Sequence, residues 1–144
     1  MTVDPLQGRE LSFRYAADIV VDRVSLAVAA GEILGIIGPN GSGKSTLLRL
    51  LSGVLSPEHG EVRVHGRPLA QLSQQEVARQ IAVVPQESSI EFPFSVTEIV
   101  LMGRSPHLGG FGFEGDTDLQ VARAAMARTG VAHLAARSIH ELSG

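Results

Sequence analysis

An α/β fold is predicted for this 144-residue chain by three features. Short, nearly continuous apolar runs, Ile33 to Ile37 and Ile81 to Val84, read as strands covered on both faces. Helical segments between and after them open on recognisable start chemistry. The order strand, loop, helix, strand, helix, strand is that of a sheet with crossing helices rather than of a bundle or a sandwich.

The elements follow in chain order. Glu10 to Tyr15 alternates, with Leu11, Phe13 and Tyr15 on one face, and Val20 to Val28 is a second β-rich stretch. The turn Ala30-Gly31-Glu32 leads into Ile33 to Ile37, and Gly38 to Ser42 is a glycine-rich loop. Lys44 to Leu55 reads as a helix whose apolar set (Leu47, Leu48, Leu50, Leu51, Val54, Leu55) covers most of its circumference, so deep burial is expected. After the turn Pro57 to Gly60, Glu61 to His65 alternates as a short strand. Ser73 and Glu76 form a capping box with Leu72 and Val77 as its hydrophobic staple; Ser95 and Glu98 repeat it with Phe94 and Ile99. From about Glu87 the character turns helical, and beyond a glycine-rich connection a helix opened by Asp116 or Thr117 presents Leu119, Ala122 and Met126 on one face.

Composition removes several classes of function. Apolar residues are 44% and charged residues 19% of the chain, enough for a core, and no apolar run is long enough to span a bilayer. No secretory-signal pattern is visible at the N-terminus. The absence of cysteine excludes disulfides, thiolate zinc sites and thiol chemistry within these residues. A net charge of −3 gives no polybasic field for nucleic acid or lipid. The five histidines show no metal-site spacing and read as surface or loop residues. Of the twelve basic residues eleven are arginine, and the one lysine is Lys44.

That lysine falls inside Gly38-Pro39-Asn40-Gly41-Ser42-Gly43-Lys44-Ser45-Thr46, which fits G-x-x-x-x-G-K-[ST] between a buried strand and a helix. Glycines there let successive backbone N–H groups wrap a phosphate, and the helix start adds partial positive charge. Lys44 supplies full charge to the β- and γ-phosphates, and the Ser45 hydroxyl suits Mg²⁺. The motif points to a nucleoside-triphosphate site, a P-loop.

With this loop in the form GPNGSGKST, followed by TLLRLLSG and then SPEHGEVRVHG, the chain resembles the ATP-binding subunits of ABC transporters from about Leu11 to its last residue. Val83-Val84-Pro85-Gln86 resembles that family's Q-loop, and Glu141-Leu142-Ser143-Gly144 the opening of its LSGGQ signature. The resemblance implies a P-loop NTPase (ABC ATPase) core in residues 1–86 and a mostly helical subdomain in 87–144, with a C-terminal part missing. It implies ATP and Mg²⁺ as cofactors, held by Gly38, Asn40, Gly41, Ser42, Gly43, Lys44, Ser45 and Thr46. Tyr15 stacks on adenine in this reading, although as bare sequence it is an ordinary strand aromatic. Gln86 contacts Mg²⁺ and the attacking water, and Leu142, Ser143 and Gly144 act in trans on ATP held by a partner subunit. The stretch Phe92 to His107 resembles the importers of iron siderophores, haem and cobalamin, where it lies beside the permease; on its own residues it is a stapled helix start.

The implied partners are a second ATP-binding subunit, integral-membrane permease subunits and, indirectly, an extracytoplasmic substrate-binding protein, with no nucleic acid. The implied location is the cytoplasmic face of the inner membrane. The Walker B aspartate, catalytic glutamate and switch histidine of the family follow the signature and are not among these residues, so the 144 residues alone are expected to bind MgATP weakly and not to turn it over. Two other readings stay open: an ABC-type ATPase without a membrane partner, acting on nucleic acid or ribosomes, and an inactive nucleotide-binding fragment.

Overall fold

The computed structural model describes residues 4–86, 92–108 and 112–142. It divides into two compact units, Met1–Val83 and Val84–Gly144.

The first unit is built on a four-stranded antiparallel sheet in the order β2-β1-β3-β4, with β1 Leu6–Tyr15, β2 Asp18–Val28, β3 His59–Val64 and β4 Arg67–Pro68. β1 and β2 form a hairpin that runs from Leu6 opposite Val28 to Tyr15 opposite Asp18, with register shifts near Gly8, Leu11 and Phe13. Two non-glycine residues take left-handed backbone at these irregularities, Glu10 (φ 48°) and Arg23 (φ 47°). Serines from the opposite strand satisfy their amides: Glu10 N donates to Ser25 Oγ (2.9 Å) and Arg23 N to Ser12 Oγ (3.0 Å). β3 crosses this distorted stretch through Gly60, where a Cβ would collide with the carbonyl oxygens of Arg9 and Glu10.

Helix α1, Lys44–Leu51, packs on this sheet through Leu47, Leu50 and Leu51, which join Leu11, Val21 and Val62 in the core. The i, i+3, i+4 spacing puts those three leucines on one face. The sequence expectation of burial around most of this helix is corrected: Leu48 is 54% exposed, Val54 is exposed, and the helix stops at Leu51 because Gly53 (φ 78°) takes left-handed backbone. Helix α2, Gln74–Ala78, carries the expected capping box, with Ser73 Oγ accepting from Glu76 N (3.2 Å) and Glu76 Oε2 accepting from Ser73 N (2.8 Å).

The expected strands Ile33 to Ile37 and Ile81 to Val84 are also corrected. Neither joins a ladder among the described residues, and Ile33 and Ile37 are each 96% exposed while Ile36 packs against the core. Apolar composition makes a segment suitable for a sheet interior, but a strand exists only through hydrogen bonds to neighbours.

The second unit contains α3, Val96–Met102, and α4, Asp116–Arg128. Among the described residues Val96, Ala122 and Met126 are its buried apolar side chains, so two of the three residues expected on the α4 face are fully inside and Leu119 is half-buried. Arg104 Nε donates to Asp118 Oδ1 (2.9 Å) and ties the end of α3 to the start of α4. That bond, with the Gly115 N–H second, holds the Asp118 carboxyl below its ordinary range. No described helix is long and apolar enough to cross a membrane.

Candidate functional site

The loop Gly38 to Gly43 connects the unpaired Ile33 to Ile37 segment to α1. Ser42 N donates to the Pro39 carbonyl (3.3 Å), and Gly41 (φ 82°) and Gly43 (φ 85°) take the left-handed backbone that turns the chain into the helix. At Gly43 a Cβ would stand 2.5 Å from the Val20 carbonyl oxygen of β2. The sheet therefore presses directly on the loop, and a side chain fits there in neither space nor conformation.

Gly43 offers α1 no side-chain cap, and the first turn carries no acidic residue. Among the described residues, no protein acceptor takes the N–H groups of Gly41, Gly43, Lys44, Ser45 or Thr46. Five neighbouring donors, four of them from Gly43 to Thr46 at the positive end of a helix, are left open, the arrangement that binds anions. Lys44 adds a formal charge. Its Nζ folds back over the loop and donates to the carbonyls of Gly38 (2.9 Å) and Pro39 (2.6 Å), with Ser42 Oγ at 3.4 Å. The Ser45 hydroxyl is exposed and makes no hydrogen bond among the described residues, whereas Thr46 is buried. A glycine cradle, open N–H groups, an ammonium and a free hydroxyl suit a metal-bound polyphosphate.

Tyr15 lies in the same unit, at the tip of the β1–β2 hairpin. It is 44% exposed, and Phe13 meets its ring edge to face at a centroid distance of 4.9 Å and an interplanar angle of 81°. One side of the phenol is braced and an aromatic surface remains open to solvent. Phe13 in this bracing role, and Val20 as the wall against Gly43, were not singled out by the sequence. The glycine at position 43 hints at a close neighbour without naming it.

A cleft of about 310 Å³ opens elsewhere on the sheet, lined by Ser12, Arg14, Asp22, Glu58 and His59 among others. Arg14 Nε pairs there with Glu58 Oε2 at 2.8 Å and Arg23 Nε with Asp22 Oδ1 at 3.7 Å, and none of its lining residues belongs to the glycine loop. All five histidines are exposed, and no group of three metal-ligating side chains occurs among the described residues.

Gln86 and Leu142 belong to the second unit. Gln86 is exposed, and its side chain makes no hydrogen bond among the described residues. Leu142 is half-buried and donates its N–H to the Ile139 carbonyl (3.3 Å). Ser143 and Gly144 lie outside the described residues.

Comparison with known proteins gives these features a context. Residues 21–144 match the family model described as ABC transporter. A hemin import ATP-binding protein, HmuV, of Gloeobacter violaceus is 46% identical over 139 residues, covering 96% of this chain and 50% of that protein. A cobalamin import ATP-binding protein, BtuD, of Halobacterium salinarum is 46% identical over 134 residues, covering 93% of this chain and 33% of that protein. A solved structure of an inward-facing metal-chelate type ABC transporter superimposes with a TM-score of 0.78 at 34% identity, over 98% of this chain and 50% of that one. The chain thus spans half or less of the length of these similar proteins.

Proposed function

The chain belongs to the ABC transporter family, and from that premise we propose that it is the ATP-holding part of an importer ATP-binding subunit. In this reading the whole protein couples ATP hydrolysis to uptake of a metal chelate of the haem, cobalamin or iron-siderophore type. The single observation that carries nucleotide binding is the open start of α1: four unpaired N–H groups beside the Lys44 ammonium. The choice of cargo is supported by the likeness to hemin and cobalamin import proteins and to a metal-chelate transporter.

Each residue has a defined task. Gly38, Asn40, Gly41, Ser42 and Gly43 shape the cradle whose N–H groups receive the phosphates. Lys44 releases the Gly38 and Pro39 carbonyls and turns its three donors to the β- and γ-phosphate oxygens. Both states of the ammonium are fully hydrogen-bonded, so the exchange leaves no buried charge unpaired. Ser45 would hold Mg²⁺, which when bound would neutralise phosphate charge; Gln86 is carried over as a further Mg²⁺ contact by the family resemblance alone. Thr46 anchors the first helical turn in the core, and Tyr15, braced by Phe13, offers its open face to adenine. Leu142, Ser143 and Gly144 serve the nucleotide of a second ATP-binding subunit.

Residues 1–86 act as the nucleotide-binding core and 87–144 as the helical subdomain that meets the permease, at the cytoplasmic face of the membrane. The extracytoplasmic binding protein acts through the permease and touches none of these residues. The test is ATP hydrolysis by the full-length protein with its permease in proteoliposomes, offered haem, cobalamin and a ferric siderophore in turn. One of the three, delivered by its binding protein, is expected to raise the rate, and Lys44→Ala to abolish it. A full-length protein whose hydrolysis responds to nucleic acid or ribosomes and to no permease would overturn the importer reading.

A further inference from the structure

The start of α3 is joined to a segment nearly forty residues further along the chain, and no part of the sequence announces it. Four donors open this helix: the N–H groups of Ser95, Val96, Thr97 and Glu98. The capping box takes the first and the last, with Ser95 N donating to Glu98 Oε2 (2.7 Å) and Glu98 N to Ser95 Oγ (3.3 Å). The middle two go elsewhere. Val96 N donates to the Arg137 carbonyl (3.0 Å) and Thr97 N to the Ala135 carbonyl (3.0 Å). The same Ala135 oxygen accepts the Thr97 hydroxyl at 2.8 Å. In return Ile139 N donates to the Phe94 carbonyl (2.9 Å), and Ser95 and Ser138 form an antiparallel bridge.

This seam leads directly to the last described residues. Ser138 caps the single turn Ile139–Glu141, and that turn's Ile139 carbonyl accepts the N–H of Leu142. Every link from Phe94 to Leu142 is therefore a backbone bond or one short side chain, with no flexible long side chain in series. Helix-start N–H groups satisfied by a distant carbonyl pair fix the direction of both segments at once.

We infer that the start of α3 and the segment from Ala135 to Leu142 move as one rigid piece, and that Thr97 is the positioning residue that sets its register. The inference rests on the proposed function: displacement of the Phe92 to Thr97 stretch by a permease would then reach the signature residues without slack. The β-branched Thr97 supplies the side-chain bond of the seam, while the backbone bonds would survive its loss.

The decisive experiment locks the seam in the full-length protein within its permease complex. Residues 1–144 contain no cysteine, and directly opposed antiparallel positions, about 4.5–5.5 Å apart at Cα, are within disulfide reach. Ser95→Cys with Ser138→Cys is compared oxidised and reduced, so the lost cap affects both states equally. Permease-stimulated ATPase and cargo uptake are expected to be the same, within twofold, in the two states. Loss of uptake on oxidation with recovery on reduction would show that the seam opens during the cycle and would overturn the inference. In parallel, Thr97→Val is expected to lower permease-stimulated kcat about fivefold, the factor for one ordinary hydrogen bond. KM for ATP should stay unchanged and Thr97→Ser should restore the rate; an unaltered stimulated kcat would remove Thr97 from this role. A wild-type complex with no permease-stimulated hydrolysis would instead refute the importer reading on which the inference rests.

Discussion

Two helix starts in this chain solve the same problem in opposite ways. Every α-helix begins with backbone N–H groups that its own carbonyls cannot reach. At α3 all of them are closed: a serine–glutamate box takes two, and carbonyls of Ala135 and Arg137 take the others. At α1 they are left open, the residue before the helix is a glycine without a side chain to offer, and no acid stands in the first turn. A closed start is a joint that stiffens the scaffold. An open start, with the only lysine of the chain folded across it, is a site awaiting an anion.

The largest effect should come from removing the charge at the open start. Lys44→Ala in the full-length protein is expected to weaken MgATP binding roughly a hundredfold or more, the scale of two charge-assisted hydrogen bonds, while Tm barely moves. Equal losses of stability and binding would mean that Lys44 is a structural clamp. Next is Gly43→Ala, which meets both a left-handed backbone and the Val20 carbonyl. Denaturant unfolding should show a loss of about 1–3 kcal/mol, with binding impaired as well. At the closed start the pattern should invert. Ser95→Ala is expected to cost about 1 kcal/mol of stability without changing the dissociation constant for MgATP.

The smallest effect is in acid. The Ser95 backbone N–H, and then its hydroxyl, hold the Glu98 carboxyl below the usual range. A depressed folded pKa stabilises the protein above the ordinary glutamate value of about 4.3 and loses that contribution as pH falls through the lower folded value. The stability difference between wild type and Ser95→Ala should therefore shrink on acidification below about pH 4. A difference that grew in acid would have the wrong sign.

What the sequence disclosed about these two starts was the local part. A capping box joins residues three apart, and the glycine loop with its lysine spans nine positions, so both are written in short range. The seam is not: Thr97 and Ala135 lie 38 positions apart, and nothing in either residue names the other. The hairpin irregularities were not visible: the left-handed backbone at Glu10 and Arg23 has no sequence mark, and Ser12 and Ser25 reveal their purpose only when placed across from it. Ile33 to Ile37 and Leu48 misled for one reason. Apolar character records what a segment is suited to be buried against, and burial needs a neighbour that composition cannot supply.

The difference between the open and closed starts can be read in a single titration. Backbone amide NMR of the full-length protein, followed as MgATP is added, should move the resonances of Gly41, Gly43, Lys44 and Ser45 strongly. Those of Val96 and Thr97 should shift little, because their N–H groups are already bound. Loop amides that stay still while nucleotide binds would contradict the assignment of the α1 start as the phosphate site.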